Sequence, residues 1–242
     1  MDALAQAFAD LERYFFNIEI LGDVLPQLLP ALLVVFQILF FSLLFSFMAG
    51  LTLALLRMVP FRPLRWLVTV YVDFFRALPL LLLLTYIYYG LALFGSTTGL
   101  RFLILDPIPA AILGITMTYA AYSAEIFRAG ISSIPHGQLE AARSLGMTSI
   151  QAMRYVVLPQ TMRVVVPPLT NELIAMIKDT ALASVITTPE LLFRAREIMG
   201  LRANPTPLTA AAILYVVFTL PLIRVAVRLE RKYGKGARPV GL

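Results

Sequence analysis

Asp73 and Arg76, Glu125 and Arg128, and the trio Glu172, Lys178 and Asp179 are charged residues set into otherwise apolar sequence. Residues of these types suit the reversible holding of a charged small solute. An ionised side chain near a bilayer centre costs roughly 2.5–3.5 kcal/mol even on the lenient insertion scale, so each needs a partner or a task. Asp73 with Arg76, and Glu125 with Arg128, stand three apart and share a helix face, where an intrahelical pair satisfies both charges. Glu172 and Asp179 have no basic residue three or four positions away, although Lys178 adjoins Asp179. They are the candidate solute contacts. Asn171, Thr180 and Ser184 on the same segment could hydrogen-bond an ammonium or carboxylate group, and Tyr122 is the aromatic candidate. The alternatives are a structural contact of Glu172 with Arg163 or a partner subunit, and packing or interface anchoring for Tyr86, Tyr88, Tyr89, Tyr119 and Tyr122. No catalytic constellation accompanies these groups. Cysteine is absent, and the one histidine, His136, lies between Pro135 and Gly137, where a solvated turn fits better than a metal ligand.

These side chains must be carried by membrane helices. Of 242 residues, 60% are hydrophobic and 14% charged, with a mean hydropathy of +0.83, far from the usage of soluble domains. Charge-free runs cover 24–56, 77–100, 107–124 and 203–223, and about 20 apolar residues suffice to cross the hydrocarbon. A further span over 164–188 carries Glu172, Lys178 and Asp179 and is bounded by Pro167-Pro168 and Pro189, which predicts a broken helix. The expectation is an all-α polytopic membrane protein of five transmembrane helices, the fourth discontinuous. Residues 1–23 read as an interfacial amphipathic segment with Phe8, Leu11, Phe15 and Phe16 toward lipid. Residues 24–230 form the membrane domain with a loop at 128–163, and 231–242 a tail. With the N-terminus outside, Arg57, Arg62, Arg65, Arg128, Arg143, Arg154, Arg163, Arg224, Arg228, Arg231, Lys232, Lys235 and Arg238 fall inside. The positive-inside rule therefore favours an outside N-terminus and a cytoplasmic C-terminus. Topology thus explains the net charge of +6, and nucleic-acid binding has no separate support.

On this topology the loop from Arg128 to Arg163 is cytoplasmic, and it reads as two short helices. Pro135 suits a first helical turn, and Gly146 the left-handed position that ends a helix. Thr148 and Gln151 have the spacing of a capping box opening a second helix, predicted to stop at Leu158-Pro159. Ala141 and Ala142 are small enough for another protein's backbone to approach. A solvated connector is the plain alternative.

Glu140-Ala141-Ala142, Gly146 and Leu158-Pro159 resemble the cytoplasmic EAA loop of ATP-binding-cassette importer permeases. The likeness extends to Asp73-Phe74-Phe75-Arg76-Ala77-Leu78-Pro79-Leu80, to Ala124-Glu125-Ile126-Phe127-Arg128-Ala129-Gly130-Ile131, and to the stretch from Lys178 to Ile186, which are similar to the polar amino-acid subfamily. From Asn171 to Leu191 the chain resembles permeases of the histidine and arginine type. Arg76-Ala77-Leu78-Pro79 departs from that subfamily's usual Arg-Gly-Thr-Pro, losing a glycine and a hydroxyl.

The resemblance implies a type I importer permease in the bacterial inner membrane that forms half of a pathway for a polar or cationic amino acid. The second permease, identical or homologous, two nucleotide-binding ATPase subunits carrying ATP and Mg, and an external solute-binding protein are the implied partners. The chain lacks the phosphate loop G-x-x-x-x-G-K-[ST], so ATP is expected on a separate subunit and no cofactor on this one. Glu140, Ala141, Ala142, Gly146 and Pro159 are the implied coupling residues. Asp73, Arg76, Glu125 and Arg128 have a gate contact between subunits as their functional alternative to structural pairing. A carboxylate at 172, where many relatives carry an amide, favours a cationic side chain. The competing function is a secondary transporter or channel subunit uncoupled from ATP, although such transporters usually show paired repeats that this chain lacks.

Overall fold

The computed structural model describes residues 2–233; the expected tail beyond Tyr233 and the side chain of Phe8 lie outside what is described. Among the described residues every regular element is a helix: α1 (Asp2–Phe15), α2 (Ile18–Met58), α3 (Arg62–Ala77), α4 (Leu80–Thr85), α5 (Leu91–Thr98), α6 (Pro107–Ser132), α7 (His136–Ser144), α8 (Ser149–Ala152), α9 (Leu158–Asp179), α10 (Leu191–Arg202) and α11 (Thr206–Tyr233). A π-helical turn (Tyr86–Gly90) joins α4 to α5, and another (Met153–Val157) joins α8 to α9. Among the described residues four stretches are long and apolar enough to span a bilayer, namely Asp10–Met58, Leu80–Thr98, Pro107–Ser132 and Thr206–Tyr233.

Helix α2 shows why composition is a good guide here. Leu29, Leu33, Phe36, Phe40, Leu44, Met48, Leu51 and Leu55 recur at three- and four-residue steps and stay exposed, while Leu28, Val35, Ser42, Ser46 and Ala54 on other faces are fully buried. An exposed apolar stripe of this length needs a lipid or protein cover.

The described residues divide into two compact units. The first draws on 2–41, 80–114 and 177–221; its core joins Val24, Leu28 and Val35 of α2 to Leu191, Ala195 and Ile198 of α10 and to Ala210 and Ala211 of α11. The second draws on 42–79, 115–176 and 222–233, and its core packs Ala54 of α2, Phe127 of α6, and Val165 and Leu169 of α9. Small residues set the helix spacing in this second unit. A Cβ at Gly50 would stand 2.6 Å from Ser123 Cβ, and one at Gly130 would stand 2.2 Å from Val165 Cγ1.

Three expectations change. The helix opened by Thr148 does not stop at Leu158-Pro159 but continues into α9. A proline ring normally collides with the carbonyl four residues back. Here the π-helical turn, closed by Leu158 N–H to the Met153 carbonyl, widens the ladder just before Pro159. Likewise Pro167 and Pro168 lie inside α9 instead of bounding it. The predicted discontinuity falls later, where α9 tightens at Asp179 into a 3-10 segment, Thr180–Ile186, that ends on Thr187 at φ 56°. Two helices, α3 and α10, fall where only loop or span edge was read.

Candidate functional site

The loop between α6 and α9 is built for exposure. Helix α7 starts after Pro135, which takes the cap position one residue before the first helical turn. It ends where Gly146 enters the left-handed region at φ 84°, with Gly146 N–H donating to the Arg143 carbonyl and Met147 N–H to that of Ala142. Thr148 then closes a full capping box: its hydroxyl accepts from Gln151 N–H, and Gln151 Oε1 accepts from Thr148 N–H at 2.8 Å. Glu140 and Ala141 are exposed, and Leu145 and Ile150 are 81% and 80% exposed. Ala142 differs from its neighbour, because it is buried and seats α7 against its own chain, where α8 and the following π turn lie. Pro159 is exposed at the start of α9. A groove of about 200 Å³ beside α7 is lined by Met58, Ile134, Leu139, Met153 and Val157, among others.

In the second unit two carboxylates have quite different settings. Glu125 on α6 sits between two arginines, pairing with Arg57 Nη1 of α2 at 2.8 Å and with Arg128 one turn along its own helix. Asp73 does not pair with Arg76. Asp73 is exposed, and Arg76 instead lays its guanidinium over the Tyr122 ring, 5.8 Å from the centroid, while the Tyr122 hydroxyl donates to the Arg76 carbonyl at 3.3 Å. Tyr122 thus holds the end of α3. Glu172 is buried, and its Oε2 accepts from the Ser123 hydroxyl at 2.8 Å. Its Oε1 has no hydrogen-bond partner, and Arg163 does not reach it. Asn171, the preceding residue on α9, is exposed.

In the first unit Asp179 is half-buried at the point where helix type changes, and Thr180 and Ser184 are buried in the 3-10 segment, Thr180 donating to the Ile177 carbonyl at 2.7 Å. Tyr88 and Tyr89 project from the π turn to this segment, with Tyr88 Oη 3.2 Å from Thr187 Oγ1 and Tyr89 donating to the Val185 carbonyl at 3.3 Å. Beyond it Glu190 is fully buried as the N-cap of α10. Its Oε1 accepts from Phe193 N–H at 2.7 Å, and its Oε2 from Leu192 N–H and the Tyr215 hydroxyl, each at 2.9 Å. Burial pushes the Glu190 carboxyl above the ordinary range, against the pull of these three donors.

Sequence reasoning missed Ser123, Arg57 and Glu190. The first two lie 49 and 68 residues from their partners, and nothing local marks them. Glu190 did carry a signal, an acidic residue directly ahead of an apolar run after Pro189, which is a capping position. Among the described residues no group of histidine, cysteine and carboxylates could hold a metal ion.

Comparison with known proteins places this architecture. Residues 46–235 match the family described as the binding-protein-dependent transport system inner membrane component. The L-cystine transport system permease protein TcyB of Bacillus subtilis (strain 168) is 41% identical over 200 residues, covering 78% of this chain and 82% of that protein. The probable glutamine ABC transporter permease protein GlnM of the same organism is 36% identical, covering 78% and 85%. The histidine/lysine/arginine/ornithine permease HisM of Escherichia coli (strain K12) is 34% identical, covering 72% and 74%. A crystal structure described as an amino acid ABC transporter with histidines superposes with a TM-score of 0.77 at 34% identity, over 86% of this chain and 94% of that one. Inward-facing MetNI methionine transporter chains share the fold, with a TM-score of 0.70 at 23% identity. These matches set aside the secondary-transporter and channel alternatives. With its membrane-length helices and its exposed loop helix, the chain belongs to the family of inner-membrane permease components of binding-protein-dependent ABC transport systems.

Proposed function

We propose that this permease forms half of the pathway of an ATP-driven importer for polar or cationic amino acids. Its partners are a second permease, identical or homologous, two ATPase subunits that carry ATP and Mg, and an external binding protein docking at 95–106 and 189–207. Five spans, an outside N-terminus and a cytoplasmic C-terminus complete the reading. The observation that carries it is the exposed helix α7, stopped by left-handed Gly146 and followed by a capped turn. A short rod fixed at both ends transmits force where a slack loop would absorb it.

Glu140 supplies a charged contact on the open face of that rod, Ala141 allows close approach, Ala142 seats the rod on its own chain, and Pro159 marks its return into α9. Glu172 is the proposed contact for the cationic group of the solute, because a buried carboxylate oxygen without a partner is costly until something donates to it. Asn171, Asp179, Thr180, Ser184 and Tyr122 are the accompanying candidates. The cluster of Glu125 with Arg57 and Arg128, together with Asp73 and Arg76, is the candidate gate or structural group.

The test is co-purification followed by kinetics. The chain extracted from membranes should bring down a nucleotide-binding subunit, and Glu140→Ala should reduce solute-stimulated ATP hydrolysis at least tenfold, the loss of about 1.4 kcal/mol of coupling. Absence of any ATPase from the purified complex would overturn the reading.

A further inference from the structure

Helix α3 presents three distinct faces. Val68, Val72 and Phe75 are buried on one face, anchored by the Tyr71 hydroxyl, which donates to the Met117 carbonyl of α6 at 3.0 Å. Arg62, Arg65, Thr69, Asp73 and Arg76 recur at three- and four-residue steps along a second, polar face. The third face is apolar and open: Trp66 is 65% exposed, Leu67 59%, Val70 45% and Phe74 56%, and Phe61 just before the helix is 61% exposed. The helix begins only a short turn after Met58 ends the first long span. A helix with an open apolar stripe beside a basic stripe, starting at the end of a membrane span, matches a segment that lies in the headgroup layer.

The charges select the lipid. Arg57 is already neutralised by Glu125, whereas Arg62 and Arg65 form no ion pair among the described residues. Asp73 is the only acidic residue on α3 and stands two turns or more beyond them. Two uncompensated guanidiniums in the first turns, with a tryptophan directly after the second, offer bidentate donors to a phosphate and an indole suited to the interface.

We propose that α3 is an inner-leaflet docking element for anionic phospholipid, in which Arg62 and Arg65 bind headgroup phosphate while Trp66, Leu67, Val70 and Phe74 enter the acyl boundary. The choice of leaflet rests on the topology proposed above; the contact with lipid does not.

Trp66 is the protein's single tryptophan, so its fluorescence reports this face alone. The full chain is reconstituted in vesicles of phosphatidylcholine with or without phosphatidylglycerol, each lipid in turn carrying bromines at a shallow or a deep acyl position. Emission should be quenched most by the shallow bromines and more strongly by brominated phosphatidylglycerol than by brominated phosphatidylcholine. Arg62→Gln or Arg65→Gln should each lower that preference by about fivefold while the depth profile stays unchanged. Trp66→Phe removes the signal and serves as the control. Equal quenching by both headgroups would overturn the anionic selection. Emission untouched by every brominated lipid would mean that protein, such as a second permease, or water covers the face, and would overturn the proposal entirely. A reversed topology, read separately from introduced cysteines, would move the leaflet without altering either quenching result.

Discussion

At the scale of single residues, the positions of charge were readable in advance because an apolar background makes each ionised group conspicuous. Their partners were not. Glu172 was marked by its surroundings, but the hydroxyl of Ser123 that holds one of its oxygens comes from another helix, and Glu125 gained Arg57 in the same way. Asp73 and Arg76 show the converse, since a spacing that permits a pair did not produce one once Tyr122 offered the guanidinium a ring face. Glu172→Gln keeps the shape and removes the charge. If the open oxygen receives a cationic group, uptake of a cationic amino acid should fall about 10- to 100-fold, as for loss of a charge-assisted bond of about 1.5–3 kcal/mol. ATPase assembly should be intact, and unchanged uptake in vesicles would reject the role.

Glu190 offers a second residue-scale prediction, this time for stability. An amide can satisfy the three donors only in part, because its NH2 must face one of them, so Glu190→Gln should cost about 1–3 kcal/mol and lower the melting temperature of the solubilised protein. The sign of its pH dependence follows from the raised carboxyl. In the window above the ordinary carboxyl range the folded protein keeps a proton that the unfolded chain has lost, so this residue's contribution to stability declines as pH rises through that window. Melting curves of the wild type and the Gln variant should therefore differ in slope against pH, and parallel slopes would contradict the assignment.

At the scale of elements, local chemistry was legible wherever a short-range rule decides the outcome. Gly146 and the Thr148–Gln151 box fulfil backbone requirements that reach only three residues. The stop predicted at Pro159 failed because a π-helical turn, set by tertiary packing, relieved the clash that proline normally causes. Helix α10 stayed hidden because its basic residues resemble those of a loop, while its core contacts, Leu191, Ala195 and Ile198, come from packing against distant segments. The proposed role of α7 as a fixed rod gives a prediction at this scale. Gly146→Ala forces a Cβ into left-handed backbone at about 1–2 kcal/mol. Nothing stands within 4 Å of the added atom, so the whole fold is spared and the cost falls on the stop of α7 alone. Solute uptake per ATP hydrolysed should drop severalfold while expression stays near wild type and the melting temperature falls by only about 2–8 °C. A larger loss of stability, or a loss of stability with uptake per ATP unchanged, would assign Gly146 to folding instead.

At the scale of the whole molecule, the number of crossings decides the rest. Among the described residues four stretches qualify on length and apolarity, and the proposed fifth crossing would come from α9 and the 3-10 segment after it, which carry Glu172, Lys178, Asp179 and two prolines. Backbone and charge of that kind are tolerated at membrane depth only when enclosed by protein or facing a water-filled cavity, as the burial of Glu172, Thr180 and Ser184 allows. Parity makes the question testable: with five crossings α7 and α10 lie on opposite sides, and with four they share one. Because the chain has no cysteine, any introduced thiol is unique. Thr97→Cys, Ser144→Cys and Leu201→Cys place thiols at exposed positions before the third crossing, on α7 and on α10. A membrane-impermeant maleimide added to intact cells, or to spheroplasts where an outer envelope intervenes, should label Thr97→Cys and Leu201→Cys, and should reach Ser144→Cys only after the membrane is opened. Labelling of Ser144→Cys from outside would invert the topology and remove α7 from any contact with a cytoplasmic ATPase. Labelling of Leu201→Cys only after opening would leave α7 in place but delete the fifth crossing, and with it the enclosed path along which Glu172 could meet a solute.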